Sequence, residues 1–186
     1  MKRLIALTVL LFFPIVLWAA AKTLKVTETA EIAAPPDAVW AKVKDFNGLH
    51  TWHPAVKKAE IVEGENNKKG AVRVLTLGDG GTIKEKLHTH NDKGKSFKYS
   101  IIEGVLPVSD YVSTVKVKPG NGGGSLVQWQ GKFKRKDTGD KPAEGQDDKT
   151  AVDTITSVYK AGLESEEDCR KEVIHRANSH SSFVPG

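Results

Sequence analysis

Residues 23–40 read TLKVTETAEIAAPPDAVW, and the spacing of apolar residues changes near the middle of this stretch. In the first half, apolar and polar residues alternate, with Leu24, Val26 and Ile32 on one side, which predicts an amphipathic strand. The Pro-Pro-Asp run at 35–37 then puts proline and an acid in the first turn of a helix, where both are favoured. We therefore expect a strand that passes directly into a helix.

The helix that follows has apolar residues at helical spacing: Val39, Trp40, Val43 and Phe46. Asn47-Gly48 is typical of a helix end, so we expect the helix to stop there. A short turn with Trp-His-Pro at 52–54 then leads into the rest of the domain.

Six further strand-like runs follow, separated by turns rich in glycine, asparagine and aspartate: Ala59–Glu63, Ala71–Leu77, Thr82–His90, Ser96–Ile102, Tyr111–Lys118 and Ser125–Lys134. The gaps suit antiparallel hairpins and are too short for parallel crossovers. A polar loop at 138–149 precedes a second helix with Ala151, Ile155 and Tyr159 at helical spacing. The order predicts an α+β fold, in which a curved antiparallel sheet of about seven strands wraps around a long C-terminal helix.

Residues 1–21 have the parts of a secretory signal peptide: a basic start, an apolar run from Leu4, and three alanines at 19–21. Cleavage before Lys22 would leave 165 of the 186 residues, with 26 basic and 23 acidic residues and a net charge of +3. The alternative is an uncleaved membrane anchor, because 18 residues nearly span a bilayer. Both interpretations place the domain outside the cytoplasm, in the periplasm.

The composition indicates a folded domain and excludes two features that depend on several cysteines. Hydrophobic residues make up 39% and charged residues 27% of the chain, which is typical of a folded domain. The single cysteine, Cys169, excludes an internal disulfide framework and a cysteine-rich metal site. We predict one domain at 22–163. An acidic cluster interrupts the apolar helix pattern after Leu163, so residues 164–186 are predicted to be a divergent, flexible tail.

Several stretches of the sequence carry a family resemblance: residues 33–40, 52–54, 80–82 with Glu85, 106–111, Trp129 and 159–163. With the order of elements, they resemble the START-like superfamily, also called SRPBCC or polyketide cyclase/dehydrase and lipid-transport proteins. The resemblance implies a helix-grip fold. An exported member with Trp-His-Pro after its first helix is most similar to the MxaD-type periplasmic proteins of methanol oxidation.

The resemblance to MxaD-type proteins implies an accessory role that assists methanol dehydrogenase and its cytochrome c partner, without a cofactor. Two alternatives stay open. The first is a periplasmic carrier of a lipid or other hydrophobic small molecule, and the second is an enzyme similar to polyketide cyclases and dehydratases. A partner protein predicts binding that salt weakens, a carrier predicts a copurifying ligand, and an enzyme predicts turnover.

Strand alternation places Glu85 on the same face as Ile83 and Leu87, toward the interior. A carboxylate among aromatic side chains either faces a small-molecule pocket or is a satisfied buried group at a strand end. A register error of one residue would instead expose it. We predict a ligand pocket lined by Trp52, His53, Glu85, Tyr99, Tyr111, Trp129 and Tyr159. The Trp-His-Pro turn would then either gate this pocket or serve as a packing corner.

On four neighbouring strands, many of the residues that alternate with the inward-facing ones are lysines, and these should lie on the outer face of the sheet. They are Lys84, Lys86, Lys98, Lys116, Lys118, Lys132 and Lys134, with Lys136 just beyond. We name the first seven the lysine face. Our hypothesis is that the lysine face docks an acidic redox partner, with the charges accelerating encounter. The alternative is that these lysines protect exposed strands from aggregation.

No sequence pattern identifies catalytic residues or a metal site. There is no Ser-His-Asp order, nucleophile elbow or phosphate-binding glycine loop, although Glu85 with Tyr99, Tyr111 or His53 could form an acid–base pair. His50 with His53, and His88 with His90, supply two ligands each without a third. We expect His88 and His90 on the solvated lysine side. Nucleic acid is not an expected partner, and no membrane span is expected after signal cleavage.

Overall fold

The computed structural model describes residues 21–181, with side chains through residue 165. All but the last residue of the predicted signal peptide lies outside the described residues. The strands are β1 (Leu24–Ile32), β2 (Val56–Glu63), β3 (Val72–Leu77), β4 (Thr82–Asn91), β5 (Ser96–Gly104), β6 (Val108–Pro119) and β7 (Ser125–Arg135). The α-helices are α1 (Pro36–Val43) and α2 (Asp148–Ser181), with 3₁₀ turns at Phe46–Thr51 and Asn121–Gly123.

The seven strands form one antiparallel sheet in the order β1-β7-β6-β5-β4-β3-β2. β2 to β7 pair in chain order, as expected for hairpins, and β1 joins the far edge beside β7. α2 packs against β1 and β7, and α1 packs near β6 and β7. The predicted fold class, a curved antiparallel sheet with a long C-terminal helix in a helix-grip arrangement, is confirmed.

Two boundaries differ from the sequence prediction. α1 ends at Val43, so Phe46 is not its last apolar residue and instead opens the 3₁₀ turn. Polar side chains fix this break, because Asn67 Oδ1 accepts from the Phe46 N–H at 2.8 Å and Asp45 accepts from the Asn47 N–H at 3.0 Å. These caps offer the backbone an alternative to continuing the helix. β2 also begins earlier, at Val56 rather than Ala59.

The backbone of α2 stays helical to Ser181, through much of the predicted tail at 164–186. The flexibility of that tail stays a prediction, since side chains beyond residue 165 lie outside the described part. At the start of α2, Arg135 Nη1 bonds Asp148 Oδ1 at 2.9 Å. Within residues 21–181, no helix combines the length and apolarity that a bilayer span requires.

The core fills the space between the inner face of the sheet and α2. The burial of side chains follows the predicted parity, with Leu87, Tyr99 and Phe133 inside. Trp129 of β7 stacks on Tyr159 of α2, with ring centroids 4.6 Å apart and an interplanar angle of 12°. Large aromatic side chains therefore occupy most of the volume that the helix covers.

Two glycines let α2 approach the sheet this closely. A Cβ on Gly131 of β7 would collide with the Tyr159 hydroxyl. A Cβ on Gly162 of α2 would lie 2.8 Å from His53 Cδ2 and 2.9 Å from Trp129 Cζ3. The packing of helix on sheet thus depends on the missing side chains at these two positions.

We expect Gly162→Ala to destabilise the fold by about 1–2 kcal/mol, because the overpacking cost exceeds the gain of about 1 kcal/mol in helix propensity. Gly78→Ala is the matched control, since nothing lies within 4 Å of its Cβ position. Urea unfolding of both variants measures the difference. Equal stability of the two variants would contradict the close packing at Gly162.

Candidate functional site

A buried ion pair lies on the inner face of the sheet, between β3 and β4. Arg73 of β3 and Glu85 of β4 are directly paired across the strands. Arg73 donates to Glu85 Oε2 from Nε at 2.7 Å, and its Nη2 lies 2.6 Å from the same oxygen. The two side chains are 2% and 5% exposed, so both charges are removed from water.

Arg73 also holds the 3₁₀ turn in place. Its Nη1 donates to the Phe46 carbonyl oxygen, and its guanidinium carbon lies 4.1 Å from the centroid of the Phe46 ring. The Tyr99 ring centroid is 5.6 Å away on β5. The guanidinium therefore joins β3, β4 and the turn that precedes β2, through an ion pair and cation–π contacts.

Sequence analysis missed Arg73. The strand reads VRVLTL, and Arg73 shares its parity with Leu75 and Leu77, which would have indicated an inward charge opposite Glu85. Burial raises the pKa of Glu85 above its ordinary value, and the adjacent Arg73 opposes that rise. A carboxylate without this partner would take up a proton more readily.

A hydrogen-bonded group of aromatic residues lies beside the ion pair. The Tyr111 and Tyr159 hydroxyls are 2.6 Å apart, and Ser113 Oγ lies 2.9 Å from that of Tyr159. Trp129 Nε1 donates to Tyr99 Oη and Ser113 Oγ, both at 3.1 Å. Burial raises the pKa of Tyr99 to about 12, so these hydroxyls stay neutral at ordinary pH.

A cavity of about 70 Å³ remains between this aromatic group, the ion pair and α2. Five of the predicted pocket residues line it: His53, Glu85, Tyr99, Tyr111 and Trp129. Trp52 and Tyr159 do not line it, and each instead packs against Trp129 from outside. Its volume is well below the roughly 300–1,000 Å³ of ordinary small-molecule pockets.

His53 ties the Trp-His-Pro turn to α2. Its Nε2 lies 2.9 Å from the Val158 carbonyl oxygen, and its Nδ1 accepts from the Ala55 N–H at 3.2 Å. These partners match the neutral tautomer protonated at Nε2, because a carbonyl only accepts and an N–H only donates. Burial lowers the pKa of His53 from 6.5, which also favours the neutral ring. The turn is thus anchored at the cavity wall.

One histidine expected on the lysine side lies elsewhere. The β4–β5 register shifts between Leu87 and Thr89, and this bulge turns His90 inward. The His90 ring stacks on Phe97 at 6.4 Å and 8°, and its Nε2 lies 2.8 Å from the Lys44 carbonyl oxygen. Among the described residues, no three histidine, cysteine or acidic side chains are placed to share a metal ion.

The lysine face lies on the outside of the sheet, opposite the cavity. Lys84 pairs with Glu63 at 3.3 Å and Lys134 with Asp110 at 2.8 Å, while Lys118 donates to Gln128 at 2.7 Å. Within the described side chains, no carboxylate lies within 4.0 Å of the other four: Lys86, Lys98, Lys116 and Lys132. Much of the positive charge is therefore uncompensated.

A groove of about 260 Å³ runs through the lysine face. Cross-strand pairing puts Thr114 between Lys98 and Gln130, so a hydroxyl and an amide lie between the lysines. Lys132 is directly opposite Lys25 of β1, and both are exposed. Like charges facing each other across strands are unfavourable, and the sequence analysis missed Lys25.

The sheet, the long helix across it and the small cavity between them define a helix-grip protein. The chain belongs to the family described as polyketide cyclase/dehydrase and lipid transport, which it matches over residues 23–166. The family resemblance read from the sequence is therefore confirmed at this level. The description of the family includes lipid transport, and its members bind hydrophobic small molecules.

Similar proteins come from bacteria and plants. The solved structure titled protein XoxI, from Bacillus cereus, has a TM-score of 0.69 at 32% identity and covers 78% of this chain and 94% of that one. MLP-like protein 423 of Arabidopsis thaliana is 28% identical over 115 residues, 56% of this chain and 72% of that protein. Major strawberry allergen Fra a 1-D of Fragaria ananassa is 27% identical over 113 residues, 57% of this chain and 68% of the allergen.

We expect Arg73→Met and Glu85→Leu each to cost about 3–5 kcal/mol, because each leaves one buried charge without its partner. The double variant should cost less than either single variant, since no charge remains to be compensated. The control is the same double-mutant cycle on a more exposed pair, with Lys84→Met and Glu63→Leu. The coupling free energy of that pair should be below about 1 kcal/mol. Denaturant unfolding gives all the free energies. If the costs of Arg73→Met and Glu85→Leu simply add in the double variant, the two residues do not stabilise each other, and the ion-pair interpretation is contradicted.

His53 gives stability a pH dependence. Its pKa in the folded state lies below 6.5, so the unfolded chain binds the extra proton first as pH falls. The free energy of unfolding should therefore decrease as pH drops through 6.5 toward the folded pKa. His53→Gln should flatten this slope between about pH 7.5 and 5.5, whereas the exposed-site control His50→Gln should not. Equal slopes in all three proteins would contradict this assignment.

Proposed function

We propose that this protein is exported to the periplasm and acts there as an accessory binding protein of methanol oxidation, docking an acidic surface of methanol dehydrogenase or of its cytochrome c partner. The observation that carries the docking step is the uncompensated charge of the lysine face. The resemblance of the Trp-His-Pro turn and the signal-like N-terminus to MxaD-type proteins supports the pathway and the compartment.

The facing pair Lys25 and Lys132 is the strongest local argument for an acidic partner. Both side chains are exposed on the outer surface, where their mutual repulsion is a cost to the isolated protein. A carboxylate placed between them removes that repulsion. Lys98 and Lys116 border the same groove, so several acidic side chains of one partner can be bound together.

The arrangement around His53 favours a binding protein over an enzyme with a Glu85–His53 acid–base pair. Arg73 holds the carboxylate at Oε2, and both ring nitrogens of His53 are occupied by backbone groups. An acid–base pair needs groups free to exchange protons with a substrate. In the described structure Glu85 and His53 do not pair with each other, because His53 faces Val158 and Ala55.

A second candidate function is the binding of a hydrophobic small molecule inside the cavity. Its lining is mainly aliphatic and aromatic, with Leu75, Ile83 and Ile155 among the walls. The volume of about 70 Å³ restricts an occupant to a small molecule in this conformation. A lipid would require α2 or the strands to move apart.

We expect association with purified methanol dehydrogenase or cytochrome c to slow at least about tenfold between roughly 0.01 M and 0.15 M salt. The double variant Lys25→Glu/Lys132→Glu should slow association to a similar extent at low salt, because it reverses the charge at the groove. Surface plasmon resonance measures both rates.

The matched control is Lys68→Glu/Lys69→Glu, which makes the same change in net charge in the β2–β3 loop. This control should alter the association rate less than about threefold. An association rate that does not change with salt, or that both double variants lower equally, would overturn docking through the lysine face. Absence of binding to either purified protein would overturn the methanol-oxidation role.

A further inference from the structure

The polar groups that line the cavity are nearly all engaged. His53 uses both ring nitrogens on backbone groups, and Trp129 Nε1 donates to two hydroxyl oxygens. The Tyr111 hydroxyl is bonded to that of Tyr159, and the Tyr99 hydroxyl accepts from Trp129. These groups leave little capacity for hydrogen bonding to a molecule in the cavity.

Glu85 differs from the other lining residues. Both contacts from Arg73 go to Oε2, and no described residue donates a hydrogen bond to Oε1. Since Glu85 lines the cavity, Oε1 is the acceptor available to an occupant. A carboxylate oxygen forms hydrogen bonds about twice as strong as those of neutral acceptors. The cavity therefore selects an occupant that donates a hydrogen bond.

The size and charge of the site narrow the class of molecule further. A cavity of about 70 Å³ is about half of the roughly 150 Å³ that holds benzene in an engineered protein. An occupant thus has about two to four non-hydrogen atoms. Arg73 and Glu85 together are neutral, so an ammonium or carboxylate occupant would add a buried charge without a partner. A neutral donor fits.

The strands offer a route to this cavity. The pairing of β5 with β6 ends at Ser100 and Val112, so residues 101–104 of β5 and 108–111 of β6 are not paired with each other. An outer cleft of about 730 Å³ lies in this gap, and Ile101 and Tyr111 line both the cleft and the cavity. We name this gap the β5–β6 seam. These two side chains therefore stand between the cavity and the cleft.

We propose that the cavity binds a short-chain alcohol, whose hydroxyl donates to Glu85 Oε1 and whose carbons contact the aliphatic wall of Leu75, Ile83 and Ile155. This proposal rests on the second candidate function, binding of a small molecule inside the protein, and names its chemical class. It is independent of docking through the lysine face. Such small ligands bind with dissociation constants of about a millimolar or weaker.

The test compares isopropanol with acetone, which have the same number of heavy atoms but differ in the ability to donate a hydrogen bond. Methyl NMR titrations of the full protein follow Ile83 and Ile155 in the cavity, with exposed Val62 as a remote reference. Isopropanol should shift the cavity methyl signals saturably. Acetone should bind at least about tenfold more weakly, because it cannot donate to Oε1.

Two variants sharpen the comparison. Leu106→Phe fills the cavity from the β5–β6 loop and should abolish saturable shifts by isopropanol while the remaining spectrum is unchanged. Arg73→Met/Glu85→Leu removes the acceptor without leaving a charge, and should abolish the preference for isopropanol over acetone.

The outcomes separate this proposal from the function on which it rests. Equal saturable binding of isopropanol and acetone would overturn the selection by Glu85 while preserving small-molecule binding in the cavity. Shifts that stay linear with both solvents, or that Leu106→Phe leaves unchanged, would overturn both.

Discussion

Two opposite charges lie almost fully buried between β3 and β4, and the neighbouring elements are arranged around them. Removing Arg73 and Glu85 from water is costly, so the surrounding structure must hold both in a fixed geometry. The Phe46 carbonyl and ring supply the remaining contacts of Arg73, which places the 3₁₀ turn against the sheet. The break after α1 is therefore part of the same arrangement as the ion pair.

That arrangement also determines what the interior can hold. The aromatic side chains and α2 close around the neutral ion pair and leave a volume of about 70 Å³. Gly131 and Gly162 allow this closure, because any side chain there would push α2 away from the sheet. A member of a family described by lipid transport thus has an interior mostly filled by its own residues.

Periodicity predicted the strands, the final helix and the inward position of Glu85, because each of these follows from local alternation. It missed Arg73, although Arg73 alternates in step with Leu75 and Leu77 on its own strand and lies opposite Glu85 on the next. It also misplaced His90, since one bulge reverses the parity after Leu87. The volume of the cavity depends on how side chains of distant strands interdigitate, which local patterns do not report.

The helix that covers the interior is fastened at two points, its first turn and the turn around Val158. Arg135 bonds Asp148 at its start, and His53 bonds the Val158 carbonyl ten residues later. Exchange between the interior and solvent through the β5–β6 seam would leave both of these contacts of α2 in place. Val112 borders both the seam and the groove of the lysine face. A protein bound to the lysine face would therefore obstruct the seam, and would slow both the entry and the exit of a small molecule.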